Sequence, residues 1–156
     1  MIDLLVAVVK YMQSSGSGFR PFIGSNTSGN TVSYGPYSGV APQGTDYPYI
    51  VYDIIPKDLD QGFSFPYTSY GENPKIRWNL YSDDVHQLSA NLKTFMKKMD
   101  TIDDSSFVFN NSDEECRSIY RTENPVLLHD PITKDGKRAY HAAIEYTFHT
   151  ACQKGQ

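Results

Sequence analysis

At Ser82 the hydrophobic period of the chain switches from two to about three and a half, and that switch constrains the fold more than any other feature. From Lys75 to Tyr81, Ile76, Trp78 and Leu80 alternate with Arg77 and Asn79, the pattern of a strand with one face on a core and Arg77 and Asn79 outward. From Val85 onward, Val85, Leu88, Leu92, Phe95, Met96 and Met99 recur at steps of three and four, which predicts an amphipathic helix. Ser82 reads as its N-cap. Asp83 and Asp84 then complement the positive end of the helix dipole, and Lys93, Lys97 and Lys98 the negative end.

The flanking segments extend this pattern. Ile2, Leu5, Val9 and Met12 fall at helical spacing, with Leu4, Val8 and Tyr11 widening the apolar face, until Ser14-Ser15-Gly16-Ser17-Gly18 ends the helix. Tyr47 to Ile55 reads as a strand closed by Pro56, and its apolar residues on both faces predict a central position. Cys116 to His129 is a β segment interrupted at Pro125, the mark of a bulge or an edge. Asp130 to Lys137, containing Asp135-Gly136, reads as a hairpin turn. In the closing strand Tyr140, Ala142, Ile144, Tyr146 and Phe148 line one face, and His141, Ala143, Glu145, Thr147 and His149 the other.

The order is helix, strand, strand, helix, strand, strand. It predicts a single α+β domain over residues 1–156, with an antiparallel sheet of four strands or slightly more packed by two helices. Long loops are expected at about 14–46, where Asn30 to Tyr34 fits a short edge strand, and at 57–73.

A chain of 156 residues buries roughly 68–70% of its unfolded surface and needs no covalent staple. Its net charge of -4 argues against tight, sequence-independent nucleic-acid binding, which rests on Lys and Arg neutralising phosphates. Cys116 and Cys152 are too few and too far apart for a disulfide framework or a zinc finger, and read as thiols in a reducing cytosol. The longest apolar run, Ile2 to Val9, is far short of the roughly 20 residues that span a bilayer. With an acid at Asp3 and no leader pattern, the mature chain is expected to begin at Met1 and to contact no membrane.

Catalytic or metal chemistry finds little purchase. His141, Glu145 and His149 share a strand face, but neighbours on that face lie about 13 Å apart, too far for one ion. His86 falls on the polar side of a helix and His129 beside a turn, so all four histidines read as solvated surface. Asp83-Asp84, Asp103-Asp104 and Asp113-Glu114-Glu115 flank element ends or fill turns, where capping and solvation explain them. The chain lacks a P-loop, a G-x-G-x-x-G fingerprint, a G-x-S-x-G elbow and an H-E-x-x-H helix. No cofactor, metal or catalytic residue is expected.

Aromatic residues are the compositional anomaly, with 12 Tyr and 8 Phe against one Trp, many of them in Gly/Pro-rich segments. Tyrosine offers rigid amphipathic contact area at low entropic cost, so Tyr34, Tyr37, Phe63, Phe65, Tyr67 and Tyr70 are the candidate self-assembly residues. The plainer reading is that these rings pin long loops to their own domain. Lys134, Lys137 and Arg138, with Lys154 near, cluster about the expected hairpin as a solvated turn or a charged partner contact.

In its apolar opening helix, Tyr47-Pro48-Tyr49-Ile50-Val51-Tyr52, Ile76-Arg77-Trp78-Asn79-Leu80-Tyr81-Ser82 running into a helix, and Ala142-Ala143-Ile144-Glu145-Tyr146-Thr147-Phe148, the chain resembles the tail terminator family of tailed bacteriophages, also called tail completion or head–tail joining proteins. These pieces cover roughly two-thirds of the chain; the long segments before Tyr47 and from Lys57 to Asn73 depart from the family pattern. The resemblance implies a virion protein, assembled in the host cytoplasm, that forms a hexameric ring on the tail tube, stops its polymerisation and presents a docking surface to the head's connector. Its partners would be its own copies, the tail tube protein and head–tail connector proteins, with DNA at most passing through the channel past Lys134, Lys137 and Arg138. A head-completion or adaptor protein of the neck is the runner-up, and a small enzyme or monomeric ligand-binding module the rival from another class.

Overall fold

The computed structural model describes residues 2–55, 69–72, 74–102, 107, 114–134 and 137–153. Its elements run α1 (Ile2–Gln13), α2 (Arg20–Ile23), β1 (Ser25–Ser28), β2 (Thr31–Tyr34), β3 (Tyr37–Ser38), β4 (Tyr49–Ile55), β5 (Ser69–Glu72), β6 (Lys75–Ser82), α3 (Val85–Asp100), β7 (Glu114–Arg121), β8 (Val126–Lys134) and β9 (Lys137–Gln153). The class is α+β, as expected, but among the described residues the sheet has seven strands where four or slightly more were predicted.

The difference lies in interruptions within lanes. β9 is the spine, 17 residues long and about 55 Å in contour at roughly 3.3 Å per residue. On one side of it, β6 pairs antiparallel with residues 140–147 and β5 with 150–153. Glu72 faces Thr150 and Lys75 faces Thr147, so β5 and β6 stay in one register across the break at residues 73–74. On the other side, β8 and then β7 share the opposite lane. β4 continues the sheet beyond β6, and two residues of β3 lie parallel on its far side. β4 therefore has neighbours on both sides, although β3 reaches only Val51 and Tyr52.

The Cys116–His129 segment proves to be two strands separated by residues 122–125. Between Arg121 opposite Tyr146 and Val126 opposite Ala143, five steps forward on the edge lane answer three back on β9, so the interruption is a bulge. Two more register shifts fall on the same lane, at Cys116/Ser118 and Leu128/Ile132. The turn expected over Asp130 to Lys137 is mostly strand, because pairing continues to Lys134 opposite Lys137 and leaves only residues 135 and 136 between them.

The helices cover one face of the sheet. Trp78, Leu80, Ile76, Ala142, Ile144, Tyr146 and Phe148 are buried there against Leu88, Leu92, Phe95 and Met99 of α3. Of the apolar face expected for α1, Leu4, Val8 and Met12 are buried, Ala7 is buried beside them, Leu5 packs partly against the core, and Tyr11 stacks edge-on with Phe19 and Phe107. Phe95 is the hub, with ring centroids 5.7 Å from Phe19, 6.5 Å from Phe22, 5.8 Å from Trp78 and 6.1 Å from Tyr146. These edge-on and tilted rings lock α2, α3, β6 and β9 together.

Asp84, not Ser82, caps α3, its carboxylate accepting from the His86 and Gln87 amides. Ser82 Oγ accepts from the Asp84 amide and donates to Gln87 Oε1, so it braces the cap from one step outside. The loop expected over 14–46 is largely structured: α2 buries Phe22 and Ile23, and β1 pairs antiparallel with β2 as a separate ribbon. The Gly29-Asn30 turn permits this hairpin, with Gly29 at φ 59°. Gly35 anchors the ribbon to the domain by donating its amide to the Gly24 carbonyl, in a space so tight that a Cβ would strike the Ile23 carbonyl. Of the 57–73 loop, residues 69–72 form β5; the rest lies outside the described residues.

Candidate functional site

With the described helices on one side, no described helix covers the other face of the sheet, and the register arranges its side chains in rows. Tyr49, Tyr81 and His141 lie directly opposite one another on β4, β6 and β9. Their rings stack, Tyr49 on Tyr81 at 5.0 Å and Tyr81 on His141 at 4.5 Å, and Tyr47 extends the ladder at 5.2 Å from Tyr49. The second row is Val51, Asn79 and Ala143, and the third Asp53, Arg77 and Glu145.

Asn79, expected to point into solvent, is on the outer face yet only 7% exposed. Its amide is used at both ends: Nδ2 donates to Asp53 Oδ2 at 2.9 Å, which leaves Oδ1 to accept from His141 Nε2 at 2.9 Å. His141 is accordingly a stacked and hydrogen-bonded member of the sheet, and the solvated reading of it fails. Arg77 Nε and Nη2 both donate to Glu145 Oε1, at 2.9 and 2.6 Å. Cross-strand pairing of this kind stabilises a sheet face that no helix covers.

The bulge at 122–125 rises beside these rows and encloses a half-open cavity of about 260 Å³. Arg77, Asn79, His141 and Glu145 line it from the sheet, and Glu123, Asn124 and Val126 from the edge. Glu123 is exposed and, among the described residues, has no ion-pair partner. Asp53, Glu123 and Glu145 against Arg77 make the surroundings of the cavity acidic on balance. Among the described residues no three His, Cys, Asp or Glu side chains converge as a metal site would require, and no helix is long and apolar enough to cross a membrane.

The tyrosines of this face respond to pH. Burial raises the pKa of Tyr49 and Tyr81 above the ordinary value of 10.0, and on the core side burial and a hydrogen bond donated to Asp100 raise that of Tyr146. A raised folded-state value means that each group contributes stability fully below pH 10 and loses it as pH climbs beyond. Urea unfolding followed by circular dichroism is expected to give a flat stability up to about pH 10 and a decline above it. Tyr146→Phe is expected to make that decline shallower; an unchanged slope would remove Tyr146 from the linkage.

Apart from Ile54 in β4, the large apolar residues that are exposed among the described residues fall in two sets on opposite sides of the large sheet. Tyr120, Val126 and Leu127, at 52%, 51% and 45% exposure, stand on the β7–β8 lane. Val32, Tyr34 and Val40, at 48%, 45% and 80%, belong to the β1–β2 ribbon and the strand-end beyond β3, at the opposite, β4 margin. Of the sequence candidates, Tyr34 is thus on an exposed patch, with the Arg20 guanidinium 5.0 Å above its ring. Tyr37 is not: it is buried, with its hydroxyl donating to the Ser33 carbonyl, and serves as a pin within its own domain. Tyr70 lies on β5 opposite Cys152. Phe63, Phe65, Tyr67 and Lys154 lie outside the described residues. The backbones of Lys134, Lys137 and Arg138 are brought together, Lys134 opposite Lys137 and Thr133 opposite Arg138 at the turn end of the β8–β9 hairpin. The β7–β8 patch was missed in sequence because its residues look like ordinary strand alternation; Pro125 was the available signal that this lane is an edge.

No protein-family model matches the chain, and no curated protein matches it.

Proposed function

We propose that this protein is a non-enzymatic structural subunit of a phage tail, which joins copies of itself into a ring that caps the tail tube, ends its growth and offers a docking surface to the head. The observation that carries the reading is a pair of different sets of exposed apolar residues, Tyr120, Val126 and Leu127 on the β7–β8 edge of the large sheet, and Val32, Tyr34 and Val40 on the separate β1–β2 ribbon and the segment beyond β3. A ring closed by a cyclic operation needs a head-to-tail contact, in which each subunit spends two unlike surfaces. A twofold dimer would need only one. The sequence resemblance to tail terminators supplies the tube as partner and six as the number of subunits.

Other readings find less support. The outer cavity is smaller than the roughly 300–1,000 Å³ usual for small-molecule sites, and its most buried polar group, Asn79, is already satisfied by sheet neighbours. Mixing the purified protein with growing tail tubes and imaging them by electron microscopy tests the proposal. Rings at one end of each tube and an arrest of elongation are expected. Tubes that lengthen undisturbed would contradict it, and binding to DNA-filled heads in place of tubes would reassign the protein to another neck position.

A further inference from the structure

Resting on the head-to-tail reading, we infer that the cavity at the β7–β8 edge receives the Arg20 guanidinium of a neighbouring copy, so that one charged pair, Arg20 with Glu123, sets the register of the contact. Arg20 stands against the second set of exposed apolar residues. It is exposed, its guanidinium is held 5.0 Å above the Tyr34 ring, and its Nε donates to the Gln13 carbonyl at 2.8 Å. These contacts fix the side chain, yet among the described residues it has no ion-pair partner. The cavity adjoins the first set, because Val126 both lines it and is one of the exposed residues of the edge. Each of the two unlike surfaces therefore joins apolar residues to one charge, and the two charges are opposite in sign.

Within one molecule the two do not meet. Arg20 belongs to the helix layer, tied to the last residue of α1, whereas the cavity opens on the face that no described helix covers. From β4, on which α2 packs, to the edge lane is three strand spacings, about 14 Å at 4.7–4.9 Å each. Inside the cavity Arg77 and Glu145 satisfy each other, which leaves Glu123 as the lining carboxylate with no ion-pair partner among the described residues. A guanidinium presents a planar fork of donors that a carboxylate accepts at two points. Its methylene stem packs on Val126 while the charged head reaches Glu123. Because Arg20 is stacked on Tyr34, seating the guanidinium also brings that ring to the apolar edge. Such a contact fixes register and raises the association rate more than it adds affinity, and it weakens with salt.

A charge reversal and its relief test the pairing in the full chain. Three variants are made: Glu123→Arg alone, Glu123→Arg with Arg20→Met, and Glu123→Arg with Lys93→Met, where Lys93 is an exposed cation of α3. Methionine at position 20 keeps an apolar stem over Tyr34, and all three positions are exposed; circular dichroism checks that each variant keeps its fold. In sedimentation velocity at low salt, Glu123→Arg is expected to need at least about tenfold higher concentration than the parent to assemble, because like charges then face each other. Adding Arg20→Met is expected to recover most of that loss, since the repelling partner is gone. Adding Lys93→Met makes the same change in net charge and is expected to recover none. A Glu123→Arg variant that assembles like the parent, no recovery with Arg20→Met, or equal recovery with Lys93→Met would overturn the pairing while leaving ring formation intact. A parent chain that never self-associates, with or without tail tubes, would overturn both this inference and the function it rests on.

Discussion

Phe95→Ala is expected to destabilise the fold by about 3–5 kcal/mol, the range for deleting a large buried ring from a core. Its ring is fully buried and touches four other aromatic rings drawn from the α1–α2 connection, α2, β6 and β9. Little can collapse into the space it leaves, because Trp78 and Tyr146 are held by strand pairing on both sides of their lanes. The cavity term therefore adds to the lost transfer energy. Denaturant unfolding followed through Trp78, the sole tryptophan and 5.8 Å from Phe95, reads the change directly. A loss below about 1 kcal/mol, the size of an ordinary surface change, would mean that the aromatic hub is not what couples the helices to the sheet.

This hub was half legible in the sequence. The strand–helix switch at Ser82 placed Trp78 and Phe95 on facing apolar surfaces, and the alternation of the closing strand placed Tyr146 and Phe148 beside them. Phe19 and Phe22 were hidden, because a four-residue helix in a Gly/Ser-rich stretch shows no period, although Pro21 at its first turn was a usable sign. Of the β1–β2 ribbon, the short strand read at Asn30 to Tyr34 is β2, but its partner β1 was hidden behind polar composition, with Gly29-Asn30 as the signal. Asn79 shows the limit of alternation as a guide: a period of two assigns a side chain to a face, but whether that face is wet depends on what the neighbouring lanes bring. The cavity was illegible for the same reason. Residues 77–79, 123–126 and 141–145 meet only through the register of three lanes and a bulge, and no local pattern encodes that meeting.

Replacing Tyr120, Val126 and Leu127 together with Ser is expected to abolish ring formation while leaving the monomer folded. Each of these side chains is about half exposed, so its loss should change stability by no more than about 0.5 kcal/mol. Their effect on association is of another order, since aromatic and aliphatic anchors at the centre of a contact dominate its energy. The edge lane that carries them is also bulged three times, a device that twists a strand away from indiscriminate pairing and leaves recognition to side chains. The same outcome is expected of the opposite margin when Val32, Tyr34 and Val40 become Ser. Electron microscopy of each purified variant counts the rings, and rings as numerous as those of the parent would strip that margin of its role.

Mixing those two triple variants tests the head-to-tail claim most directly. Each retains one intact margin, so the mixture should yield a single species of twice the monomer mass by sedimentation equilibrium, and nothing larger, while each variant alone stays monomeric. A mixture that remains monomeric, or a variant that pairs with itself, would contradict the account, because the two margins would then not be partners for each other.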